Sequence, residues 1–391
     1  MRIKYTAGQK VAQFLGLGVL GGCVCGGVGL YKGEDRTYRG LCNLLHVLDG
    51  ETAHKAAVWA LGRGLYFRTR AQHTQELEMK LWGINFKNPV GIAAGFDKHG
   101  EAVEGLTDIG FGFVEVGSVT PLAQEGNAKP RVFRLDKDEA VINRYGFNSE
   151  GHDVVKSRLE LVRQREFSGV LGVNLGKNKT SPSAIEDYTA GVKKFGCLAD
   201  YLVINISSPN TPGLRSLQGK EDLSMLVKAV LTAREELKMN NPPPILVKIA
   251  PDLSEDDKTD IAEVVTAPGT KVDGLVISNT TITRPDSLTS TSKDEVGGLS
   301  GVPLVNLSTQ TVRDMYRLTA GQLPIVGVGG VSSGQDAWDK ILAGASLVQI
   351  YSALVYQGPP VVTRVRRELS EILAASEYSS LQEAVGADHR K

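Results

Sequence analysis

Three short apolar runs in this chain end in asparagine: GVN at Asn174, VIN at Asn205 and ISN at Asn279. Asparagine is a poor strand former, and a single case usually marks a turn. Three at the same end of a set of strands form a ring of amides. Such a ring can donate to and accept from a ligand with imide or carboxylate edges. Asn143, in INRYGFN, can add a fourth amide from above. Lys248 sits inside another apolar run, ILVKIA. A lysine there snorkels at the strand end, or points into a polar cavity. In a cavity it can form a Schiff base, or serve as a fixed cation beside a developing negative charge. Lys98, in AAGFDKHG, places a second cation after the first run.

Glycine clusters suggest an anion site. GGLSG covers Gly297 to Gly301, and GVGGVSSG covers Gly327 to Gly334, with Tyr351 and Ser352 closing a later run. Backbone N–H groups at such turns hold phosphate without a positive side chain. The polar stretch SSPNTPGLRSLQGK, Ser207 to Lys220, directly follows Asn205 and is either a loop over the site or an ordinary connection. No histidine lies close enough to it to suggest a serine triad. The four cysteines and six histidines show no ligand spacing, so no metal is expected.

These residues need a scaffold that brings run ends together. The apolar runs are 90–94, 113–116, 170–174, 201–206, 245–249, 274–279, 324–328 and 347–351. They lack strict alternation, as expected for parallel strands buried on both faces. Amphipathic stretches such as 223–237 and 335–343 lie between them. Eight strands alternating with helices in this length predict an α/β fold, a (β/α)8 TIM barrel, with the asparagines at its carboxyl-end rim. An open doubly wound sheet is the rival, weakened because no GxGxxG follows the first run. Two insertions interrupt the pattern. Residues 131–135 and 140–144 predict an antiparallel hairpin, and the polar loop 280–300 predicts a lid or binding loop.

The amino-terminal part is different. Residues 1–33 contain no acid, and 11–31 contain no charge at all. That length suffices to cross a bilayer as a helix. A basic leader over 1–10 followed by a transmembrane helix over 11–31 is the favoured reading; a cleaved secretory signal and a buried soluble helix compete with it. Residues 34–40 read as a polar linker. Two short amphipathic helices follow within 41–68, the second N-capped by Thr52. They form either a cap on the barrel or a greasy tunnel opening to the membrane. Lys plus Arg equals Asp plus Glu at 44 each, which argues against nucleic acid as a partner.

The ordered set PVGIAAGFDKHGE, EVGSVTP, RVFRL, INRYGFNS, GVNLGKNK, NISSPNTPGLRSLQG, KIAPDL, SNTT, GGLSG, GVGGVSSG and GADHRK resembles the class 2 dihydroorotate dehydrogenases. These are the membrane-bound, quinone-reducing, mitochondrial form. The resemblance covers essentially the whole chain. It implies oxidation of (S)-dihydroorotate to orotate with FMN as hydride acceptor and ubiquinone as final acceptor, in pyrimidine biosynthesis.

By motif match, Ser208 would be the base, with Thr211 and Phe147 on its proton path. Class 1 members carry cysteine there, so serine favours class 2. Substrate contacts would be Lys98, Asn143, Tyr145, Gly146, Phe147, Asn205, Asn210, Asn279 and Thr280. FMN would be held by Ala93, Ala94, Gly95, Ser118, Asn143, Asn174, Asn205, Lys248, Ser278, Ser300, Gly301, Gly329, Gly330, Tyr351 and Ser352, with Lys248 in the flavin-charge role. His54, Ala57, Arg134 and Tyr351 would line a quinone tunnel. Leu45 departs from a glutamine that some members carry at its mouth. The implied division is a two-helix quinone-tunnel domain at 32–75 and an FMN-binding barrel at 76–391. The implied placement is a single-pass monomer in the inner mitochondrial membrane, touching its lipid, with the catalytic domain facing the intermembrane space. A lysine aldolase, a membrane-tethered phosphate-ligand sensor and a flavin barrel acting on RNA uridines are the rivals.

Overall fold

The computed structural model describes residues 35–66, 68 and 74–390. The expected leader and transmembrane helix lie outside the described residues. Among the described residues no helix is long and apolar enough to cross a membrane.

Two antiparallel strands come first, β1 (Met79–Leu81) and β2 (Ile84–Phe86), joined at Trp82 and Gly83. Both joining residues have positive φ, the conformation a tight two-residue hairpin needs. Trp82 donates to the Asp273 carbonyl at 2.7 Å and packs on Tyr201. The hairpin therefore closes the amino ends of the barrel strands, a feature with no counterpart in the sequence reading.

Eight parallel strands form a closed barrel. In chain order they are β3 (Val90–Ile92), β4 (Phe113–Val119), β7 (Val170–Leu175), β8 (Tyr201–Asn205), β9 (Ile245–Ile249), β10 (Gly274–Ile277), β12 (Ile325–Val328) and β13 (Ala345–Ile350). All eight expected runs are these strands. Every residue in them is buried, which is why they read as unbroken apolar runs. Closure comes from β13 on β3, with Val348 opposite Val90.

The expected hairpin is β5 (Val132–Leu135) and β6 (Ala140–Asn143). The expected lid or binding loop is not loop throughout. Its end is a strand, β11 (Gly298–Gly301), which pairs with β6 and makes a three-stranded sheet above the barrel mouth. Arg284 closes the rest on itself through the carbonyls of Glu295 and Gly297, both at 2.7 Å, and Asp138 of the hairpin turn accepts from Thr289 N at 2.9 Å.

The described helices are α1 (Asp35–Leu45), α2 (Gly50–Gly62), α3 (Val103–Asp108), α4 (His152–Gln164), α5 (Ala184–Phe195), α6 (Lys220–Glu235), α7 (Glu255–Thr266), α8 (Val305–Leu318), α9 (Gly334–Leu342), α10 (Ser352–Gln357), α11 (Pro360–Ala375) and α12 (Leu381–Ala384). Those between barrel strands bury one face each. On α9, Ala337, Trp338 and Ile341 are buried, and Ser333 caps its start by accepting from Asp336 N. Each large apolar side chain so buried contributes roughly 1.5–3 kcal/mol.

Two expectations about the amino-terminal helices are corrected. The supposed linker is already helical, because α1 begins at Asp35. The second helix is capped by Asp49, whose carboxylate accepts from Glu51 N and Thr52 N at 3.1 Å. Aspartate one turn earlier satisfies the free amides that Thr52 was expected to meet. The helix α2 sits close on the barrel. A Cβ at Gly62 would lie 2.5 Å from Glu101 O, and one at Gly105 2.5 Å from Leu61 O. Buried Glu51 and Arg131 join α2 to the segment before β5 through bonds of 2.9 and 3.0 Å.

Candidate active site

The carboxyl ends of the barrel strands open into a cavity of about 1140 Å³, counted with the solvent at its mouth. All the predicted substrate and cofactor residues except Asn174 line it, as does Ser208. They come from strand ends, from the β5–β6 hairpin and its exit, and from the loop after β8.

The amide ring is one connected network. Asn205 donates from Nδ2 to Ser118 Oγ at 2.9 Å and to Asn174 Oδ1 at 3.2 Å. Ser118 donates to Asn174, and Asn279 Nδ2 donates to Ser207 Oγ at 2.9 Å. Asn174 lies one layer below the cavity, donating to Glu115 Oε1 at 2.8 Å. It therefore orients Ser118 and Asn205 and does not face the cavity itself.

Below this network sits a group the sequence reading passed over. Glu115 is fully buried and also accepts from Tyr201 OH at 3.2 Å and Gln349 Nε2 at 2.6 Å. A signal was available. Glu115 in FVEVGSV and Gln349 in ASLVQI are polar residues in apolar strands, as Lys248 is. A buried carboxylate needs such partners. Burial holds Lys248 below the usual lysine value, and the Glu115 charge opposes that shift.

The rim is pinned. Arg215 reaches Ser207 O at 3.0 Å, Asp252 at 2.8 Å and Thr280 O at 2.9 Å, fixing the loop over the barrel. Asn210 Nδ2 donates to Asn143 O at 3.1 Å, linking that loop to the hairpin. Ser208 is buried, and its Oγ accepts from Asn210 N at 3.3 Å. Thr211 Oγ1 is buried with no hydrogen-bond partner. Its hydroxyl has bonding capacity to spare, in the loop that carries Ser208.

Lys98 lies 4.2 Å from the Tyr145 ring centroid and donates to Gly95 O. Burial pushes it down to about 7, with Glu51 and Asp97 pulling the other way. An anion beside it would favour its charged form.

At the β12 end the wall is backbone. Gly301, Gly329 and Gly330 all have positive φ. A Cβ at Gly301 would lie 2.3 Å from Glu139 O, and one at Gly330 2.6–2.7 Å from the backbone and Cβ of Val305. Only glycine fits such a cradle. Ser300 and Ser352 hydroxyls stand 2.8 Å apart at its edge. Within GGLSG only Ser300 and Gly301 line the cavity. Gly298 is packed on Thr280, where a Cβ would fall 1.9 Å from Oγ1.

The expected tunnel residues fall on α2 (His54, Ala57), on β5 (Arg134) and just after β13 (Tyr351). His54 stacks on Phe96 at 5.1 Å, bonds Phe96 O at 2.6 Å and lies edge-on to Tyr351 at 6.4 Å. Burial pushes His54 down to about 3, so its ring is neutral at ordinary pH. Arg134 crosses to the turn between α1 and α2, donating to His46 O at 2.7 Å and Leu48 O at 2.6 Å. Its buried Nη1 has no partner. Ala57 and Leu45 are half-buried on the two helices.

A family model for dihydroorotate dehydrogenase matches residues 76–373. The chain belongs to the dihydroorotate dehydrogenase family. It is 57% identical over 353 residues to the mouse protein named dihydroorotate dehydrogenase (quinone), mitochondrial, covering 89% of each chain. The Arabidopsis thaliana protein of the same name is 48% identical over 98% of this chain and 90% of its own. Dihydroorotate dehydrogenase (quinone) of Rhodospirillum rubrum is 53% identical, covering 90% and 95%. The structure of a DHODH from Eimeria tenella in complex with ferulenol superposes with a TM-score of 0.85 at 46% identity, covering 88% of this chain and 96% of that one. The chain is thus an oxidoreductase of the class 2, quinone-dependent dihydroorotate dehydrogenases.

Proposed function

We propose that the protein oxidises dihydroorotate to orotate at this cavity, with FMN as cofactor and ubiquinone as final acceptor, as a step of pyrimidine biosynthesis. The observation that carries this is the joining of three features in one cavity: the amide ring, a buried lysine and a glycine cradle. The cradle suits a phosphate, and Lys248 suits negative charge on a flavin ring. FMN would be held by Ala93, Ala94, Gly95, Ser118, Lys248, Ser278, Ser300, Gly301, Gly329, Gly330, Tyr351 and Ser352, with Asn174 acting through Ser118. The chemistry FMN supplies when bound is hydride acceptance from C6 and electron return to a quinone.

This chain's own residues do the rest. Asn143, Asn205, Asn210, Asn279 and Thr280 meet the imide edges of the substrate, and Lys98 pairs with its carboxylate. Ser208 Oγ takes the proton from C5. A serine hydroxyl is a weak base alone, so the proton must leave it. The unpartnered Thr211 hydroxyl gives that exit, and Phe147 keeps bulk water off it.

For the quinone, His54, Ala57, Arg134 and Tyr351 would line an approach beside α1 and α2. The unpartnered Arg134 Nη1 is a donor suited to a quinone carbonyl. On the same two helices and the turn between them, Leu44, Val47, Leu48 and Trp59 are exposed, as a lipid-facing surface would be. The mouse, rice and Arabidopsis relatives are named mitochondrial. With the uncharged 11–31 stretch, this supports an inner-membrane placement, with 32–75 as the tunnel domain and 76–391 as the catalytic barrel.

The test is an absorbance spectrum of the detergent-solubilised chain. Anaerobic dihydroorotate should bleach the flavin bands, and a short-chain ubiquinone should restore them. A yellow protein that ignores dihydroorotate overturns the substrate assignment. A chain that stays colourless with added FMN overturns the cofactor as well.

A further inference from the structure

Outside the lined cavity, a fully buried lysine serves none of the steps above. Lys340 points from α9 across β12, its stem against Gly327, towards the first turn of α8. Its ammonium donates to Ser308 Oγ, to Thr309 Oγ1 at 2.9 Å and to Val305 O at 3.5 Å. All three acceptors are neutral. The nearby acids on its own helix are engaged elsewhere. Asp336 accepts from Ser332 and Ser333, and Asp339 accepts from Gln335.

The position is unfavourable for a cation on two counts. It is fully desolvated with no carboxylate bonded to it. It also stands at a helix amino terminus, where the backbone dipole already presents positive charge. Burial accordingly pushes its pKa down to about 7. An anion at the same helix end would reverse both penalties.

The glycine cradle lies there. Ser308, which accepts from Lys340, donates in turn to Gly329 O at 3.2 Å. Gly330 rests on Val305 so closely that a Cβ would fall 2.7 Å from its backbone nitrogen. The cavity wall on this side is Leu304, Gly329 and Gly330. One hydroxyl and one layer of backbone separate the ammonium from the cradle.

We propose that Lys340 is the buried counter-charge for the phosphate of the bound flavin, acting from beneath the Gly329–Gly330 turn through Ser308. It is a positioning residue that touches no reacting atom. The inference rests on the FMN reading above and assigns the electrostatic source of that site's preference for a phosphorylated ligand. The cradle's N–H groups are then not its sole attraction, since one full charge reaches it through a low-dielectric wall.

The test compares FMN with riboflavin, which lacks only the phosphate. The full-length chain is loaded with each flavin, and affinity is read from flavin fluorescence released on dilution. Lys340→Met should weaken FMN by about tenfold or more and change riboflavin by less than about twofold, as expected for loss of one charge near a phosphate. Equal weakening of both flavins would show a packing role only and overturn the proposal, as would no change in either. Ser308→Ala is the second variant, removing one oxygen and leaving the amine in place. It should also lower the FMN-to-riboflavin ratio, by a smaller factor. If Lys340→Met does not fold and Ser308→Ala leaves the ratio at the wild-type value, the proposal fails. A wild-type chain that binds neither flavin would instead sink the cofactor reading itself.

Discussion

Ser208 is buried in a loop pinned by Arg215, with the unpartnered Thr211 hydroxyl three residues on. Replacing it by alanine removes a single oxygen. Ser208→Ala should keep its flavin spectrum while the rate of bleaching by dihydroorotate falls roughly 10²–10⁴-fold, the usual span for a lost general base. An unchanged bleaching rate would remove Ser208 from the mechanism. Lys98 gives a pH signature. Its pKa is held down to about 7, mainly by burial, so the free protein loses this charge as pH rises past that value. The charged form pairs with a carboxylate, so KM for dihydroorotate should be flat below about 7 and rise above it. Lys98→Met should raise KM at all pH values and remove the rise.

At the scale of elements, the site depends on close approaches that side chains would spoil. The cradle exists because β12 is followed by two glycines lying on the first turn of α8. Gly330→Ala puts a methyl into the Val305 backbone at a positive φ. The expected result is a folded chain purified with little flavin, read as the flavin-to-protein absorbance ratio. The hairpin depends instead on charge. Glu51 on α2 is held by Arg131, Lys55 and Lys129, and despite burial its carboxyl is pulled down to about 2. Arg131→Met leaves Glu51 buried beside exposed lysines only. It should destabilise the protein by roughly 3–5 kcal/mol in denaturant unfolding, the usual cost of breaking a buried pair from one side. A loss under about 0.5 kcal/mol, the scale of a surface pair, would mean that α2 is held by packing alone.

At the scale of the molecule, the barrel buries groups whose charged forms it cannot accommodate. His152 begins α4, is buried edge-on to Phe195, and has no partner at Nε2. Burial and Lys194 push it down to about 4, while Asp153 acts the other way. The unfolded chain binds its proton near 6.5, so between about 6.5 and about 4 the unfolded state holds more protons. Stability therefore rises with pH across that window and is lost as pH falls through it. The melting temperature should fall on acidification from 6.5 to 4, and a His152→Phe variant should show a shallower fall. An identical slope in the variant would place the acid sensitivity elsewhere.

Much of this was legible beforehand for a physical reason. Strands buried on both faces must be apolar throughout, so all eight were visible as runs. Polar residues at their ends or within them, such as Asn205, Asn279 and Lys248, stand out against that background. The ordered motifs then pointed to the family. Other features carried no local signal. The β1–β2 plug and the pairing of β11 with β6 depend on partners far along the chain, and GGLSG looks like a loop until Asn143 lies beside it. Glu115 was visible in type but not in role, because its partners arrive from β7, β8 and β13. The helix cap falls on Asp49 and not on Thr52 because several polar residues at that turn can satisfy the same amides. By itself the sequence determined the barrel, the rim residues and the family, since burial pattern and motif order are one-dimensional. Only the tertiary structure decided that Asn174 acts from below through Ser118, and that Lys340 lies against the underside of the glycine turn, because closing the barrel brings together residues far apart in the chain.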